Sequence, residues 1–309
     1  MPHSHHSHSG QFCKHAKGSL EEVVVEAIRQ GFEVYGLTEH VPRYRPEDLY
    51  PEEEGLDSES LLTQFDGFVE EAHRLKSLYA SQITLLVGLE TEFITPLDLD
   101  RLEDLLKRYH GRIEYMVGSV HHVDEIPIDF DFPTYEKALR VHESDRTEHE
   151  RTESFLCSYF ESQFTLLKRF QPEIVGHIDL CCLYTPSLCL STFARAWDML
   201  KRNVKYAIEY GGLFEVNAAA FRKNWDTAYP GEEVLQMIVS EGGRFALSDD
   251  SHGPHAVGLN YDRMADYLKA QKITEIWHLQ RAQTTGHDGR SLKAVKLAGD
   301  WRDHVFWKK

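Results

Sequence analysis

Short apolar runs alternate with amphipathic segments of helical period along these 309 residues. Ser19, with Glu22 three residues later, forms a capping box, and Leu20, Val23, Val24, Ala27 and Ile28 mark one helical face that Gly31 ends. VYGLTEH (34–40) reads as a strand. A long helix follows Ser58, with Leu61, Leu62, Phe65, Phe68, Val69, Ala72 and Leu75 at helical spacing. The strand ITLLVGLETEF (83–93), a helix near 98–109, the strand YMVGSVHHV (115–123) and a helix over 154–170 come next. The second half repeats the theme: strands 173–180, 213–218 and 244–252 alternate with helices 192–210, 231–241 and 256–270. With a short strand before or within the N-terminal histidines, the pattern gives about seven β/α units. No Pro/Ser linker or charge block divides the chain, so one domain over 1–309 is expected, closed or nearly closed as a β/α barrel. An open doubly wound sheet is the alternative. Connections 41–58 and 123–153 both follow strands, which places them on the barrel face that carries chemistry, as lids, specificity loops or plain surface insertions.

Composition narrows the function. Fifty acids against 34 bases give a formal net charge of −16, which repels phosphate backbones and makes nucleic acid a poor partner. No run of 18 apolar residues and no secretory signal is present, so neither a membrane nor export is expected. The five cysteines (Cys13, Cys157, Cys181, Cys182 and Cys189) are odd in number and form no CxxC pair, which points to a reducing, cytoplasmic compartment. Glycine-rich nucleotide loops and the GxSxG elbow are absent.

The chemistry lies where strands end. His6 and His8 stand at the first, His40 at the second, Glu90 at the third, His121 and His122 at the fourth and His177 at the fifth. Glu215 and Asn217 end the sixth, Asp250 and His252 the seventh. Strand ends of a barrel converge on one rim, so nitrogen and carboxylate donors would meet there as a transition-metal site. Residues two apart on an extended chain share a face, which pairs His6 with His8 and Asp250 with His252 and leaves His5 and Asp249 facing away. The same alternation lets only one of His121 and His122 ligate directly. His15, in a loop, is open between ligand and solvated side chain, and Cys13 is near enough to stand behind the ligands. His3 is a bystander, and His73, His110, His142, His149, His278, His287 and His304 read as structural or solvent-facing. So many donors exceed what one ion needs, so two or three divalent ions are expected, with Zn first and Fe or Mn as alternatives.

These residues resemble the PHP (polymerase and histidinol phosphatase) phosphoesterases. HSH (6–8) with His15, TEH ending at His40, GLE ending at Glu90, VGSVHH, VGHIDL and SDDSH ending at His252 match that family's motifs over about residues 3–270. Within the family, HSHHSHSG, LTEHVPR, YPEEEGL, VGSVHHVDEIPIDFD and LSDDSHG are most similar to the fungal type of histidinol-phosphate phosphatase. The resemblance implies a distorted, TIM-like (β/α)₇ barrel of PHP type. It implies hydrolysis of L-histidinol phosphate to L-histidinol and phosphate, in histidine biosynthesis, through a metal-bridging hydroxide. It also implies the ligand set His6, His8, His15, His40, Glu90, His121, His177, Asp250 and His252, with Asp250, His252 and His177 nearest the chemistry. Arg222, in EVNAAAFRK, is the first candidate for phosphate, with Lys223 and Arg43 behind it, and His122, Glu215 and Asn217 complete the expected substrate-binding set. CCLY (181–184) stands where bacterial members carry a basic residue, so phosphate binding is expected to differ in detail. Two rival functions are another PHP activity (a general phosphatase or a 3′–5′ exonuclease) and a non-enzymatic metal-binding protein. The lack of a basic stripe opposes the nuclease.

Overall fold

The computed structural model describes residues 1–141, 147–282 and 289–308. Seven short parallel strands form one sheet: β1 (His3–Ser4), β3 (Val34–Leu37), β4 (Thr84–Glu90), β5 (Tyr115–Gly118), β8 (Ile174–Val175), β9 (Leu213–Asn217) and β10 (Phe245–Ser248), in that spatial order. The sheet curls until its ends meet. The His5 N–H donates to the Leu247 carbonyl (3.2 Å), and the Leu247 N–H donates to Nε2 of His3 (3.0 Å). Above this seam β2 (Ser7–His8) pairs in parallel with β11 (Ser251–His252), placing His8 beside His252. The result is a nearly closed barrel rather than an open doubly wound sheet.

Helices cover the outside: α1 (Leu20–Gln30), α2 (Ser58–Leu78), α3 (Pro96–Arg108), α4 (Phe132–Arg140), α5 (Glu148–Phe170), α6 (Ala194–Tyr210), α7 (Glu232–Ser240) and α8 (Tyr261–Ala270). The expected capping box starts α1: Ser19 Oγ accepts from the Glu22 N–H (3.2 Å), and Glu22 accepts from the Ser19 N–H (2.7 Å). Gly31 ends that helix at φ +86°, a conformation that disfavours side chains with a Cβ. Leu20, Val23, Val24 and Ala27 are fully buried against the sheet, and burial of each Leu or Val among them contributes on the order of 2 kcal/mol.

The barrel interior is a second apolar layer of Val34, Leu86, Tyr115, Val117, Ile174, Leu213 and Ala246. It is plugged from below by the antiparallel hairpin β12 (Trp277–Arg281) and β13 (Leu292–Lys296), whose Leu279 and Leu292 join the same cluster. The Leu279 N–H donates to Nε2 of His5 (3.0 Å). His3 and His5 thus belong to the floor of the barrel, as bystanders to the rim.

Three strand expectations need correction. The strand expected over 115–123 stops at Gly118, because the chain turns into a separate hairpin, β6 (His122–Val123) with β7 (Ile126–Pro127). The strand expected over 173–180 is two residues long, since the His177 N–H leaves the ladder for a carboxylate oxygen of Glu215 (2.8 Å). The strand expected over 244–252 breaks at Asp250, which adopts a left-handed φ of +47°. The connection expected over 123–153 contains α4 and the start of α5. His142 and His287 lie outside the described residues.

Candidate metal centre

His6, His8, His40, His121 and His177 arrive at one rim around Glu90, with Asp250 and His252 beside them. Oε1 of Glu90 lies 3.1 Å from Nε2 of His6, 3.2 Å from Nε2 of His121 and 3.1 Å from Nε2 of His177. Its Oε2 lies 3.3 Å from Nε2 of His8 and 3.0 Å from Nδ1 of His40. Asp250 Oδ1 is 3.8 Å from His6, 3.6 Å from His8 and 3.6 Å from His252. Its carboxylate approaches three rings despite the break in the strand, because the left-handed residue and the β2–β11 pairing re-aim it. The extended-chain pairing expected for Asp250 and His252 is therefore replaced by a turn that reaches the same neighbours.

The donors fall into three adjoining groups: His6, His8 and Glu90; Glu90, His121 and His177; and His15, His40 and His252 with Cys13. His8, Asp250 and His252 link the first group to the third. The His15 ring is 5.4 Å from His40 and 5.1 Å from His252, so the loop histidine joins the cluster. Cys13 Sγ is 3.2 Å from Nε2 of His15, beside the site as its sequence position suggests.

The chemistry of these donors fits divalent cations. Ring nitrogens of His6, His8, His40 and His177 and Oδ1 of Asp250 are buried without hydrogen-bond partners. A fold rarely leaves so many polar atoms unmatched in one place unless a ligand matches them. Burial opposes protonation of His6, yet the carboxylates of Glu90, Asp250 and Glu215 hold it well above the usual imidazole range. Burial likewise lowers His8, and Glu39 and Glu90 outweigh it, raising His8 to about 9. Burial and the neighbouring His8 charge push His40 down to about 3. The carboxylates thus call for positive charge at this rim, and the crowding of imidazoles opposes supplying it as protons on every ring.

Partners behind the ligands were only partly legible. Glu215 accepts from Nδ1 of His6 (2.8 Å) and from Asn217 Nδ2 (3.0 Å), so both residues brace candidate ligands rather than face the cavity. Asn217 also reaches Oδ2 of Asp250 (3.2 Å). Glu39 backs His8 (Nδ1 to Oε2, 3.4 Å), and Glu92 backs His121 (3.3 Å) and His122 (3.1 Å). Sequence reading missed Glu39 and Glu92. The signal for Glu92 was present, since Glu90–Thr91–Glu92 repeats the two-residue spacing that pairs His6 with His8.

A cavity of about 370 Å³ opens over the donor cluster, lined by His15, His40, His121, His177, Asp250 and His252 and also by Arg222 and Lys223. Arg222 donates from Nη1 to the Asp249 carbonyl (2.9 Å) and from Nη2 to the Asp250 carbonyl (2.7 Å), so it both faces the cavity and braces the strand break. Arg43 does not line this cavity. It is buried behind His40, paired with Glu53 through both Nε (2.9 Å) and Nη2, with Tyr50 over its guanidinium. His122 is turned away towards Glu92. Tyr50, Glu52, Asp129, Phe130 and Tyr229 form the outer walls. His73, His149 and His304 make local contacts with the Arg112 carbonyl, Phe193 and Glu33, away from the rim.

Comparisons with known proteins point to one family. The family model described as the PHP domain matches residues 4–219. A Schizosaccharomyces pombe protein assigned as a histidinol-phosphatase is 46% identical over 99% of this chain and 97% of its own length. The Saccharomyces cerevisiae histidinol-phosphatase is 32% identical over 91% of this chain and 92% of its own. The crystal structure of histidinol phosphate phosphatase from Lactococcus lactis, complexed with Zn, L-histidinol and phosphate, superposes with a TM-score of 0.61 at 18% identity, covering 89% of this chain and 95% of that one. With its seven-stranded barrel, its histidine and carboxylate rim and these full-length relatives, the chain belongs to the PHP domain family.

Proposed function

We propose that this chain is a histidinol-phosphatase, a phosphoric monoester hydrolase acting on L-histidinol phosphate. One observation carries the reading. Nine donors from six strand ends and one loop gather at the base of a 370 Å³ cavity, in a chain 46% identical along its length to a protein assigned to that activity. The whole chain works as one catalytic unit, since the C-terminal hairpin seals the barrel floor.

His6, His8, Glu90 and Asp250 would hold one divalent ion, Glu90, His121 and His177 a second, and His15, His40 and His252 a third. Zn suits the imidazole-rich donors, and the Lactococcus lactis structure holds it. When bound, such ions lower the pKa of water towards neutrality and offset negative charge on phosphoryl oxygens. The chain's own residues do the rest. Arg222 and Lys223 draw the phosphate into the cavity, and Arg222 retains hydrogens beyond the two given to backbone carbonyls. Glu215, Asn217, Glu39 and Glu92 fix the orientation of the imidazoles and of Asp250. The acidic surface, with a net charge of −16, disfavours polynucleotide substrates. No helix among the described residues is long and apolar enough to cross a membrane. The five free cysteines support a reducing, cytoplasmic setting for the activity.

The test joins elemental analysis to a substrate panel. Protein purified without added metal is expected to carry two or three Zn per chain and to hydrolyse L-histidinol phosphate far faster than p-nitrophenyl phosphate or DNA ends. Equal rates on all three would return the chain to general phosphoesterase status.

A further inference from the structure

The outer walls of the cavity carry unmatched acid. Asp129 follows the β6–β7 hairpin, and its Oδ1 is buried without a hydrogen-bond partner. Among the described residues no Lys or Arg pairs with Asp129 or with Glu52 at the rim, although the adjacent loop acids Asp48 and Glu53 are both paired to arginines. Close by, Tyr229 is 2% exposed and its hydroxyl is also unpartnered. Its ring centroid lies 6.3 Å from that of His177, and its phenol sits in the field of Asp179, Asp129 and Asp250. Tyr50 and Phe130 stack at 6.5 Å and 14° to form the apolar lip.

The two carboxylates are separated from the phosphate end of the same cavity, and Tyr229, which follows β9, stands beside His177. Arg222 and Lys223 leave the barrel after β9, whereas Glu52 and Asp129 come from connections after β3 and β5. The cavity is therefore polarised: cationic groups on one side, the ion-holding rim at its base, and unpaired carboxylates on the other side. An unpaired carboxylate in a confined site is costly unless a ligand supplies the opposite charge. A site with buried acceptors left open also rejects analogues that lack the matching donors.

We infer that Asp129, assisted by Tyr229 and by Glu52 at the rim, grips the cationic organic end of the substrate, and so selects phosphomonoesters of amino alcohols over uncharged esters. The inference rests on the reading of this cavity as a phosphomonoesterase site and assigns its substrate-discriminating side. Neither Asp129 nor Glu52 touches the proposed phosphate contacts.

The metal-loaded enzyme decides it, with L-histidinol phosphate and phenyl phosphate as the two probes. In D129N the ratio of kcat/KM for the first over the second is expected to fall at least tenfold, mostly through KM, with Y229F showing a smaller fall in the same direction. A ratio in D129N within twofold of the parent enzyme overturns the inference. A ratio near one in the parent enzyme overturns the substrate reading instead. Should D129N lose its thermal unfolding transition, competitive inhibition of Y229F gives the answer. There the inhibition constant of L-histidinol is expected to rise several-fold while that of inorganic phosphate changes less than twofold. An unchanged constant for L-histidinol overturns the inference.

Discussion

Nδ1 of His6 lies 2.8 Å from Oε1 of Glu215, a carboxylate 209 positions further along the chain. The other oxygen of Glu215 accepts the N–H of His177 (2.8 Å), so one side chain fixes two proposed ligands from different strands. Glu215→Gln keeps the shape but removes the charge that orients His6. A fall in kcat/KM of about 10- to 100-fold is expected, with reduced metal content after dialysis. Unchanged metal content and turnover would falsify the positioning role.

Glu90 meets five imidazoles through its two oxygens. Burial alone would raise its carboxyl pKa, yet His6, His121 and His40 hold it well below the usual carboxylate range. Glu90→Gln is expected to cost more than Glu215→Gln, beyond about 100-fold in kcat/KM, the upper end for partners that act only from behind a ligand. Elemental analysis should show at least two ion positions affected, because Glu90 stands in two donor groups. Loss confined to one ion would argue against a shared role.

Arg222 spans the carbonyls of Asp249 and Asp250 at 2.9 and 2.7 Å, and Asp250 holds a left-handed φ of +47°. A non-glycine residue held there costs on the order of 1–3 kcal/mol, and a planar two-pronged donor offsets it. Arg222→Lys, with a single ammonium, is expected to lower both Tm and kcat/KM, the latter about tenfold. If Tm is unchanged while only phosphate inhibition weakens, the brace is unimportant and the residue serves phosphate alone.

His3 is fully buried in the barrel floor, where burial and then the neighbouring His278 push its pKa down to about 3. Its unfolded value is near 6.5, so the unfolded chain takes up the proton first as pH falls. The neutral ring's contribution is complete above pH 6.5 and is lost progressively from there towards pH 3. Linkage puts the loss at up to about 2 kcal/mol between pH 6.5 and 4.5. Denaturant titrations at those two pH values should show a smaller change in His3→Gln, which can still accept from the Leu247 N–H. An equal change in both proteins would remove His3 from the account.

Much of the fold was written in periodicity. The apolar faces of α1, α2 and α5, the capping box at Ser19 and the seven strand positions were readable because helix and strand impose their own spacing on the chain. The β12–β13 plug was not read, although the Asp288-Gly289 pair between its two strands is a turn motif. Strand lengths were overread where the chain leaves the ladder early: for the Glu215 carboxylate at His177, for a separate hairpin after Gly118, and through left-handed Asp250.

The candidate ligands were likewise legible one by one, since chain order lists the strand ends in turn and a barrel brings such ends to one rim. Sequence could not decide what stands behind them. Arg43 and Arg222 are both arginines shortly after a strand end, yet Arg43 is spent on buried Glu53 while Arg222 faces the cavity. His121 and His122 are neighbours, yet His121 faces Glu90 and His122 turns to Glu92. By itself the sequence determined which donors reach the rim, because alternation and strand order are local rules. Only the tertiary structure decided which of them are free to bind, because a buried polar atom's availability depends on partners brought to it from distant segments.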